Sequence, residues 1–242
     1  FQVLKLEFVG TLAGGIAYLI VKGQDLGLAA EQILNGLYNG YVLLAVPLFI
    51  FAANLMNAAG ITEKLIRLSR NVVGHLPGGL GHVNVVVSML FAGISGSSTA
   101  ETAGVGGVMI PAMKKQGFDA RFTAALTACA SVMGVIIPPS ILMVVWGGVI
   151  SVSIGALFLA GVLPGVMIGL SLMVVVVIYA KLRNYPIYPR ATLAEVLSAL
   201  GQALLPLATP MIIVGGIVGG FFTPTEASVV AVLYALFLGG VV

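Results

Sequence analysis

The stretch "AGISGSSTAET", Ala92 to Thr102, interrupts one of the most apolar parts of the chain with small polar residues and a single acid. No Asp, Glu, Lys or Arg lies between Arg70 and Glu101, and none lies between Glu101 and Lys114. Glycine and serine are poor residues for a helix interior. The stretch therefore predicts a break in the middle of a long apolar helical segment.

Composition sets the class of protein. The 242 residues are 60% hydrophobic and 8% charged, whereas a soluble domain carries roughly a quarter charged residues. So few charges cannot cover a surface in water, but they suffice for the loops of a helical bundle in lipid. We therefore expect one domain of an all-α, multi-pass membrane protein. The net charge of +3 comes from short basic connections, which is typical of the positive-inside pattern and not of a nucleic-acid surface.

The segment around the opening stretch has an unusual length. Val83–Met113 is roughly thirty residues long, too long for one crossing and too short for two at about 20 residues each. Both flanks are basic, so both ends are expected on the cytoplasmic side. The basic residues are Lys64, Arg67 and Arg70 before it and Lys114, Lys115 and Arg121 after it. A chain that enters and leaves on one side is a re-entrant helical hairpin.

A second break follows in the charge-free run Phe122–Ala180. "GVIIPPSI", Gly134–Ile141, contains two adjacent prolines, which remove two backbone donors and push the preceding residues out of the α region. "SVSIG", Ser151–Gly155, predicts a turn, and a span is expected from Ala156 to Ala180.

Four further spans are predicted from hydropathy. The polar connection that follows the span Tyr41–Ala59 should end in a turn, "HLPGGLGH", His75–His82. The four spans are Phe8–Val21, Tyr41–Ala59, Ala203–Phe222 and Ala227–Val242.

The two breaks should lie together. Irregular backbone at membrane depth is tolerated only where it is buried in protein or lines a watery cavity. Unwound carbonyls can then face a cation, and the starts of the half-helices can face an anion. This arrangement is typical of secondary transporters.

Four longer stretches carry a resemblance to a known family. They are "SMLFAGISGSSTAETAGVGGVMIPAMKKQGFDARFTAALT" (Ser88–Thr127), "IIPPSI" (Ile136–Ile141), "SVSIGALFLAGVLPG" (Ser151–Gly165) and "GGIVGGFFTPTEA" (Gly215–Ala227). In this order, along almost the whole chain, they resemble the large membrane subunit of tripartite ATP-independent periplasmic (TRAP) transporters.

The resemblance implies sodium-coupled secondary active uptake of an organic acid, such as a sialic or dicarboxylic acid, across the bacterial inner membrane. It implies a periplasmic substrate-binding protein and a small membrane subunit as partners, besides membrane lipid, and no cofactor beyond the coupling sodium ion. It also implies the ion-transporter-superfamily elevator fold. Residues 1–82 would then be scaffold-type helices, 83–150 the hairpin and broken helix of the transport domain, and 151–242 further transmembrane helices.

In this family the two breaks form the first sodium site and one wall of the substrate site. Carried onto this sequence, the predicted sodium ligands are Ser95, Gly96, Ser97, Ser98, Gly134, Ile137 and Pro138. The predicted substrate contacts are Ser98, Thr99, Pro139 and Ser140. An inverted repeat has a second hairpin and a second broken helix. This chain holds one copy of each, so it resembles one half of the repeat, the first half of the subunit.

Two acids fit local structural roles. "SSTAE" predicts a capping box with Ser98 at the N-cap and Glu101 at the third helical position, with a functional acid as the alternative. "TPTE", Thr223–Glu226, predicts a second capping box with Pro224 at the first helical position.

Other polar side chains are also expected to be structural. Asn54 and Asn57, one turn apart, should hydrogen-bond to a neighbouring helix. His75 and His82 should be solvated in a surface turn. The single cysteine, Cys129, should be buried in an apolar run.

Two other functions fit parts of the sequence. "GISG" matches the G-x-S-G pattern around the serine of intramembrane rhomboid proteases, but no histidine follows Ser95 to act as its base. A channel or non-transporting scaffold subunit is the other alternative, although no filter repeat or ring of charge is visible.

Overall fold

The computed structural model describes residues 13–23, 27, 31 and 40–241. The chain divides into two compact units, residues 1–41 and 42–242. In the first unit residues 13–21 are helical. The remainder of the span predicted from Phe8 to Val21 lies outside the described residues.

From residue 40 onward, the described chain forms nine α-helices and two 3-10 turns. The helices are α1 Ala45–Ala58, α2 Ile61–Val73, α3 Gly79–Ser95, α4 Ser98–Lys115, α5 Ala120–Ser131, α6 Ile141–Ile150, α7 Ile154–Arg183, α8 Leu193–Val218 and α9 Pro224–Val241. The 3-10 turns are Tyr41–Leu44, before α1, and Val132–Val135, directly after α5. No strand occurs among the described residues, which agrees with the predicted all-α class.

Three described helical segments are long and apolar enough to cross a membrane: Tyr41–Ala58, Ile154–Arg183 and Leu193–Val218. Their outer faces expose large apolar side chains, and Leu163 on α7 is 68% exposed. An apolar surface of this extent is unfavourable in water, so this is a membrane protein. The spans predicted at Tyr41–Ala59 and Ala156–Ala180 are confirmed in length and composition.

Hydropathy alone misses two polar helical segments, the first turns of α8 and most of α2. α8 begins at Leu193 rather than Ala203, because Thr192 and Glu195 form a capping box: the Thr192 backbone N–H donates to Glu195 Oε2 at 2.7 Å, and the Glu195 N–H donates to Thr192 Oγ1 at 3.3 Å. The predicted polar connection after α1 is likewise helical, since α2 occupies most of it.

α2 is amphipathic. Its buried side chains include Ile61, Leu65 and Leu68, which recur every three or four residues along one face. On the other side the Arg67 guanidinium donates to Gln202 Oε1 on α8 at 3.1 Å. The basic residues that mark this connection in the sequence therefore lie on the outer face of a packed helix.

α3 and α4 form a helical hairpin. The Tyr188 backbone N–H, in the segment after α7, donates to the carbonyl of Gly74, just before α3, at 3.2 Å. The Gln116 side chain, just after α4, donates to the hydroxyl of the same Tyr188. The start of α3 and the end of α4 therefore lie together at one end of the hairpin, and the tip, Gly96–Ser97, lies at its other end.

The predicted turn before α3 is shorter than expected. Residues 74–78 form it, and α3 already begins at Gly79. His82 is therefore helical and only 1% exposed, with Nε2 3.0 Å from the Pro77 carbonyl. The prediction that His82 is solvated is wrong, because α7 packs closely over this turn: a Cβ at Gly78 would lie 2.8 Å from Ala180 Cβ.

α7 presents glycines to the hairpin and to the broken helix. A Cβ at Gly165 would collide with the Ile137 side chain, and a Cβ at Gly169 would collide with the sulfur of Met89. Since the two glycines are four residues apart, they lie on one face of α7. This face allows both interrupted elements to approach the α7 backbone.

Candidate functional site

The two breaks lie together, as expected from the sequence. The Ile141 backbone N–H donates to the Gly96 carbonyl at 3.1 Å, which joins the hairpin tip to the start of α6. Gly96 has φ +62°, and a Cβ there would lie 2.8 Å from the Pro139 carbonyl oxygen. The position therefore favours glycine twice, for its left-handed backbone and for the close approach. The Pro138–Pro139 peptide bond beside it is cis.

Two half-helices begin at this meeting point, and each has a serine at its N-cap. Ser97, with φ −143° and ψ 121°, accepts a hydrogen bond on Oγ from the Ala100 N–H at 3.4 Å. Ser140 is buried; its Oγ accepts from the Met143 N–H at 3.3 Å and donates to the Val135 carbonyl at 2.7 Å. Helix starts carry partial positive charge, so the N-termini of α4 and α6 would both favour an anion bound nearby.

Two half-helices also end here. α3 ends at Ser95, which is 1% exposed and whose Oγ accepts from the Ser97 N–H at 3.5 Å. The 3-10 turn after α5 ends at Val135, next to the buried Gly134. Helix ends carry partial negative charge on their free carbonyls. Carbonyl and hydroxyl oxygens converge here, and hard cations prefer oxygen ligands.

The remaining predicted sodium ligands lie around the same point. The Ser98 carbonyl accepts from Thr102 Oγ1 at 2.8 Å. The Ile137 side chain packs against Gly165 of α7, so only its main chain is available to the site. Pro138 is buried, and its carbonyl would lie 3.6 Å from a Cβ at Gly93 of α3. All seven predicted positions belong to the two breaks, which contact each other through Gly96 and Ile141.

A cavity of about 270 Å³ opens between α1 and the hairpin tip. Its lining residues are Ile50, Ala53 and Asn54 of α1 and Ser95, Ser97, Thr99 and Ala100 around the tip. Thr99 Oγ1 lies 2.9 Å from Ser97 Oγ. Of the predicted substrate contacts Thr99 lines this cavity, whereas Pro139 and Ser140 are buried behind the tip.

Asn54 belongs to this cavity and also to a neighbouring one of about 180 Å³. From the sequence we predicted only a hydrogen bond to a neighbouring helix for Asn54, although an amide in an otherwise apolar helix was a signal for a polar cavity. For Asn57 the prediction of a bond to another helix is confirmed, because its Oδ1 accepts from Thr62 Oγ1 of α2 at 2.8 Å. The prediction that Cys129 is buried is wrong; it is exposed on α5.

The predicted capping box at Ser98 and Glu101 is wrong. The N-cap is Ser97, so Glu101 occupies the fourth helical position and cannot reach back to the cap. Its side chain instead turns inward. It is 0% exposed, and neither carboxylate oxygen has a hydrogen-bond partner among the described residues.

The buried carboxylate faces the second break. A Cβ at Gly134 would lie 2.5 Å from Glu101 Oε2 and 3.1 Å from the Ser97 carbonyl oxygen. A side chain at 134 would therefore displace the Glu101 carboxylate and press against the Ser97 carbonyl, so glycine is favoured there. The orphaned carboxylate therefore lies beside Gly134 of the second break and near the Ser97 carbonyl of the first, and carboxylate and carbonyl oxygens are ligands that hard cations prefer.

The second predicted capping box is confirmed. The Thr223 backbone N–H donates to Glu226 Oε2 at 2.8 Å, and the Glu226 N–H donates to Thr223 Oγ1 at 3.3 Å. Pro224 is the first residue of α9, where its missing N–H costs nothing.

Comparison with known proteins gives consistent matches along the chain. Residues 4–242 match the family described as "Tripartite ATP-independent periplasmic transporter, DctM component". Over 249 residues the chain is 44% identical to the sialic acid TRAP transporter large permease protein SiaM of Vibrio cholerae, covering 100% of this chain and 58% of that protein.

Two further relatives carry other substrate names. The C4-dicarboxylate TRAP transporter large permease protein DctM of Vibrio cholerae is 40% identical over 214 residues, covering 88% of this chain and 47% of that protein. The 2,3-diketo-L-gulonate TRAP transporter large permease protein YiaN of Escherichia coli is 37% identical over 253 residues, covering 98% of this chain and 59% of that protein. The chain spans about half the length of the curated relatives it matches.

Proposed function

The chain belongs to the DctM-component family of tripartite ATP-independent periplasmic transporters, and we propose that it forms the first half of a large permease subunit for sodium-coupled uptake of an organic acid. The relatives are transporter permeases and not enzymes, which argues against a serine protease at Ser95. Their names specify sialic acid, C4-dicarboxylate and 2,3-diketo-L-gulonate. All three are organic acids, which supports a carboxylate substrate.

The observation that carries this proposal is the contact between the two broken helices, through the Gly96 carbonyl and the Ile141 N–H. It places two helix ends and two helix starts in one buried region. The sodium ion would be held by main-chain and hydroxyl oxygens of residues 95–98 together with main-chain oxygens at 134, 137 and 138. When bound, the ion supplies a positive charge beside the substrate site.

The substrate carboxylate would bind on the side of the helix starts. The α4 and α6 N-termini offer backbone N–H groups, and Thr99 and Asn54 offer a hydroxyl and an amide from the cavity wall. No Arg occurs in the hairpin or in α6, so backbone dipoles carry the recognition of the anion from this half. We expect Ser98, Pro139 and Ser140 to position these N–H groups.

The topology proposed for the bilayer follows from the basic connections. Those that hold Lys64 to Arg70, Lys114 to Arg121 and Lys181 to Arg190 would all face the cytoplasm of the cell, on the inner side of the inner membrane. The hairpin would then be re-entrant, and the hairpin with the broken helix would move as the elevator domain. A periplasmic binding protein would deliver the substrate, and a small membrane subunit would complete the assembly.

The test is uptake into vesicles that contain the complete natural protein in which this chain occurs, with its small membrane subunit and its loaded binding protein. We expect accumulation of a labelled carboxylate when sodium is outside in excess, and only equilibration when sodium is equal on both sides or replaced by potassium. Uptake that ignores the sodium gradient would instead support the alternative, a channel or a passive scaffold subunit.

A further inference from the structure

The most unusual polar group in the described structure is the Glu101 carboxylate. It is 0% exposed, and both of its oxygens lack a hydrogen-bond partner among the described residues. Ser88 on α3 faces it, but within hydrogen-bond geometry the Ser88 hydroxyl also has no partner in the described part of the chain. A carboxylate kept in this state is unfavourable unless something neutralises it.

Among the described residues, no cationic side chain on the helices of the two breaks lies close enough to neutralise it. On α3 the sole titratable side chain is His82, near the open end of the hairpin, where it contacts the Pro77 carbonyl. On α4 the basic residues are Lys114 and Lys115 in the last turn. From α5 to α6 the only charged residue is Arg121 in the first turn. Each of these groups lies at the opposite end of its helix from the tip, roughly 20 Å away at 1.5 Å per residue.

Glu101 is therefore neutralised either by a proton on its own carboxyl group or by a cation from outside the surrounding side chains. Glu101 Oε2 lies against Gly134, where a Cβ would be 2.5 Å from it, and the Ser97 carbonyl borders the same spot. Gly134 and Ser97 are both among the predicted sodium ligands. Main-chain carbonyls supply partial charges only, whereas a carboxylate supplies a full negative charge.

We propose that Glu101 carries the negative charge of the sodium site, facing the ion from the second half of the hairpin and setting how tightly it binds. This inference rests on the proposed sodium coupling. It assigns Glu101 a role that neither the sequence pattern nor the predicted ligand set gave it. Charge on the ligands is a main determinant of cation affinity in oxygen sites.

The experiment measures sodium binding and not transport. The complete natural protein in lipid nanodiscs is titrated with NaCl against a choline chloride background of constant ionic strength, by calorimetry and by the rise in unfolding temperature. Glu101→Gln keeps the shape and removes the charge, and we expect it to weaken sodium binding by at least about tenfold. Glu101→Asp keeps the charge and should retain more affinity than Glu101→Gln.

Glu226→Gln is the matched control. It makes the same change in the first turn of α9, where the carboxylate is exposed and bonded to Thr223. We expect its sodium affinity to equal that of the wild type.

The outcomes separate the two hypotheses. Wild-type sodium affinity in Glu101→Gln would overturn the role of Glu101, show a carboxyl group that is neutral by protonation, and leave the sodium site standing. Absence of sodium binding in the wild type would overturn both proposals. If Glu101→Gln does not fold, the infrared difference spectrum of the wild type between sodium and choline decides. We expect sodium to perturb a carboxylate stretching band. An unperturbed band would overturn the inference.

Discussion

Ser or Thr is followed three residues later by Glu at three places in this chain, and the structure uses two of them, Thr223/Glu226 and Ser98/Glu101, differently. Thr223 and Glu226 close a capping box on an exposed helix start. Ser98 and Glu101 do not, and the carboxylate is fully buried without a partner among the described residues. The comparison teaches that the pattern predicts a cap only where its first residue becomes the N-cap.

The difference arises from one residue of register. Gly96 ends α3 with φ +62°, which leaves Ser97 extended and makes it the N-cap of α4. Glu101 therefore moves from the third to the fourth helical position. One residue turns a side chain by about 100° around the helix axis, and this turn takes the carboxylate from the cap to Gly134 of the second break.

Replacing Ser97, the N-cap of α4, tests whether the starts of α4 and α9 differ in function. Of the variants considered, it should have the largest effect on uptake. Ser97→Leu removes a hydroxyl that lines the 270 Å³ cavity and puts a bulky apolar side chain beside the proposed sodium ligands. We expect uptake in vesicles to fall by more than about tenfold, with the protein still folded in membranes. Thr223→Leu removes the equivalent cap of α9 and should keep most of the uptake. Equal uptake by the two variants would break the comparison.

A smaller effect is expected from removing the exposed cap alone. Thr223→Ala loses the hydroxyl that accepts from the Glu226 N–H, and such a loss costs about 1 kcal/mol of stability. Unfolding in mixed micelles with increasing denaturing detergent measures this cost. Sodium affinity and uptake should not change, because the box touches neither break. A sodium affinity lowered together with stability would show that the α9 start is coupled to the site.

The smallest effect is expected at a third capping carboxylate, Asp119 at the start of α5. The Phe122 N–H donates to its Oδ1 at 3.0 Å and the Arg121 N–H at 2.9 Å. The hydrogen bond from Phe122 first, then that from Arg121 and the charges of Arg183 and Arg121, lower the pKa of Asp119 below its ordinary value of 3.8.

Because this pKa is lower in the folded than in the unfolded protein, the ionised carboxylate stabilises the fold above pH 3.8, and this contribution disappears as the pH falls through the folded pKa. Asp119→Asn keeps a capping side chain but cannot titrate. Thermal unfolding of the two proteins at neutral pH and below about pH 4 should therefore show a slightly steeper acid loss for the wild type. Identical acid slopes would contradict the assignment.

Much of the fold could be predicted because it follows from length, proline and glycine. The apolar runs around α1 and α7 match the thickness of a bilayer, and two adjacent prolines cannot continue a helix. The meeting of the two breaks was also predictable, because exposed main-chain polar groups are not tolerated in lipid. Hydropathy failed at α8, whose polar first turns begin at Leu193.

The details of the site depended on packing between elements distant in sequence. His82 is buried because α7 covers its turn, and no local pattern carries that information. Asn54 reaches the cavity only because α1 lies against the hairpin tip. The position of Glu101 depended on which of two adjacent serines caps α4, and both are good caps. The sodium ligands and the elevator mechanism stay predictions.

The close contact between Gly165 of α7 and the Ile137 side chain has a consequence for how this protein can evolve. A larger residue at position 165 fits only if the side chain at position 137 becomes smaller. A lineage that acquires alanine at 165 would thus be expected to acquire a shorter residue at 137 as well. Substitutions at these two positions are therefore expected to occur together, although 28 positions (165 minus 137) separate them in the sequence.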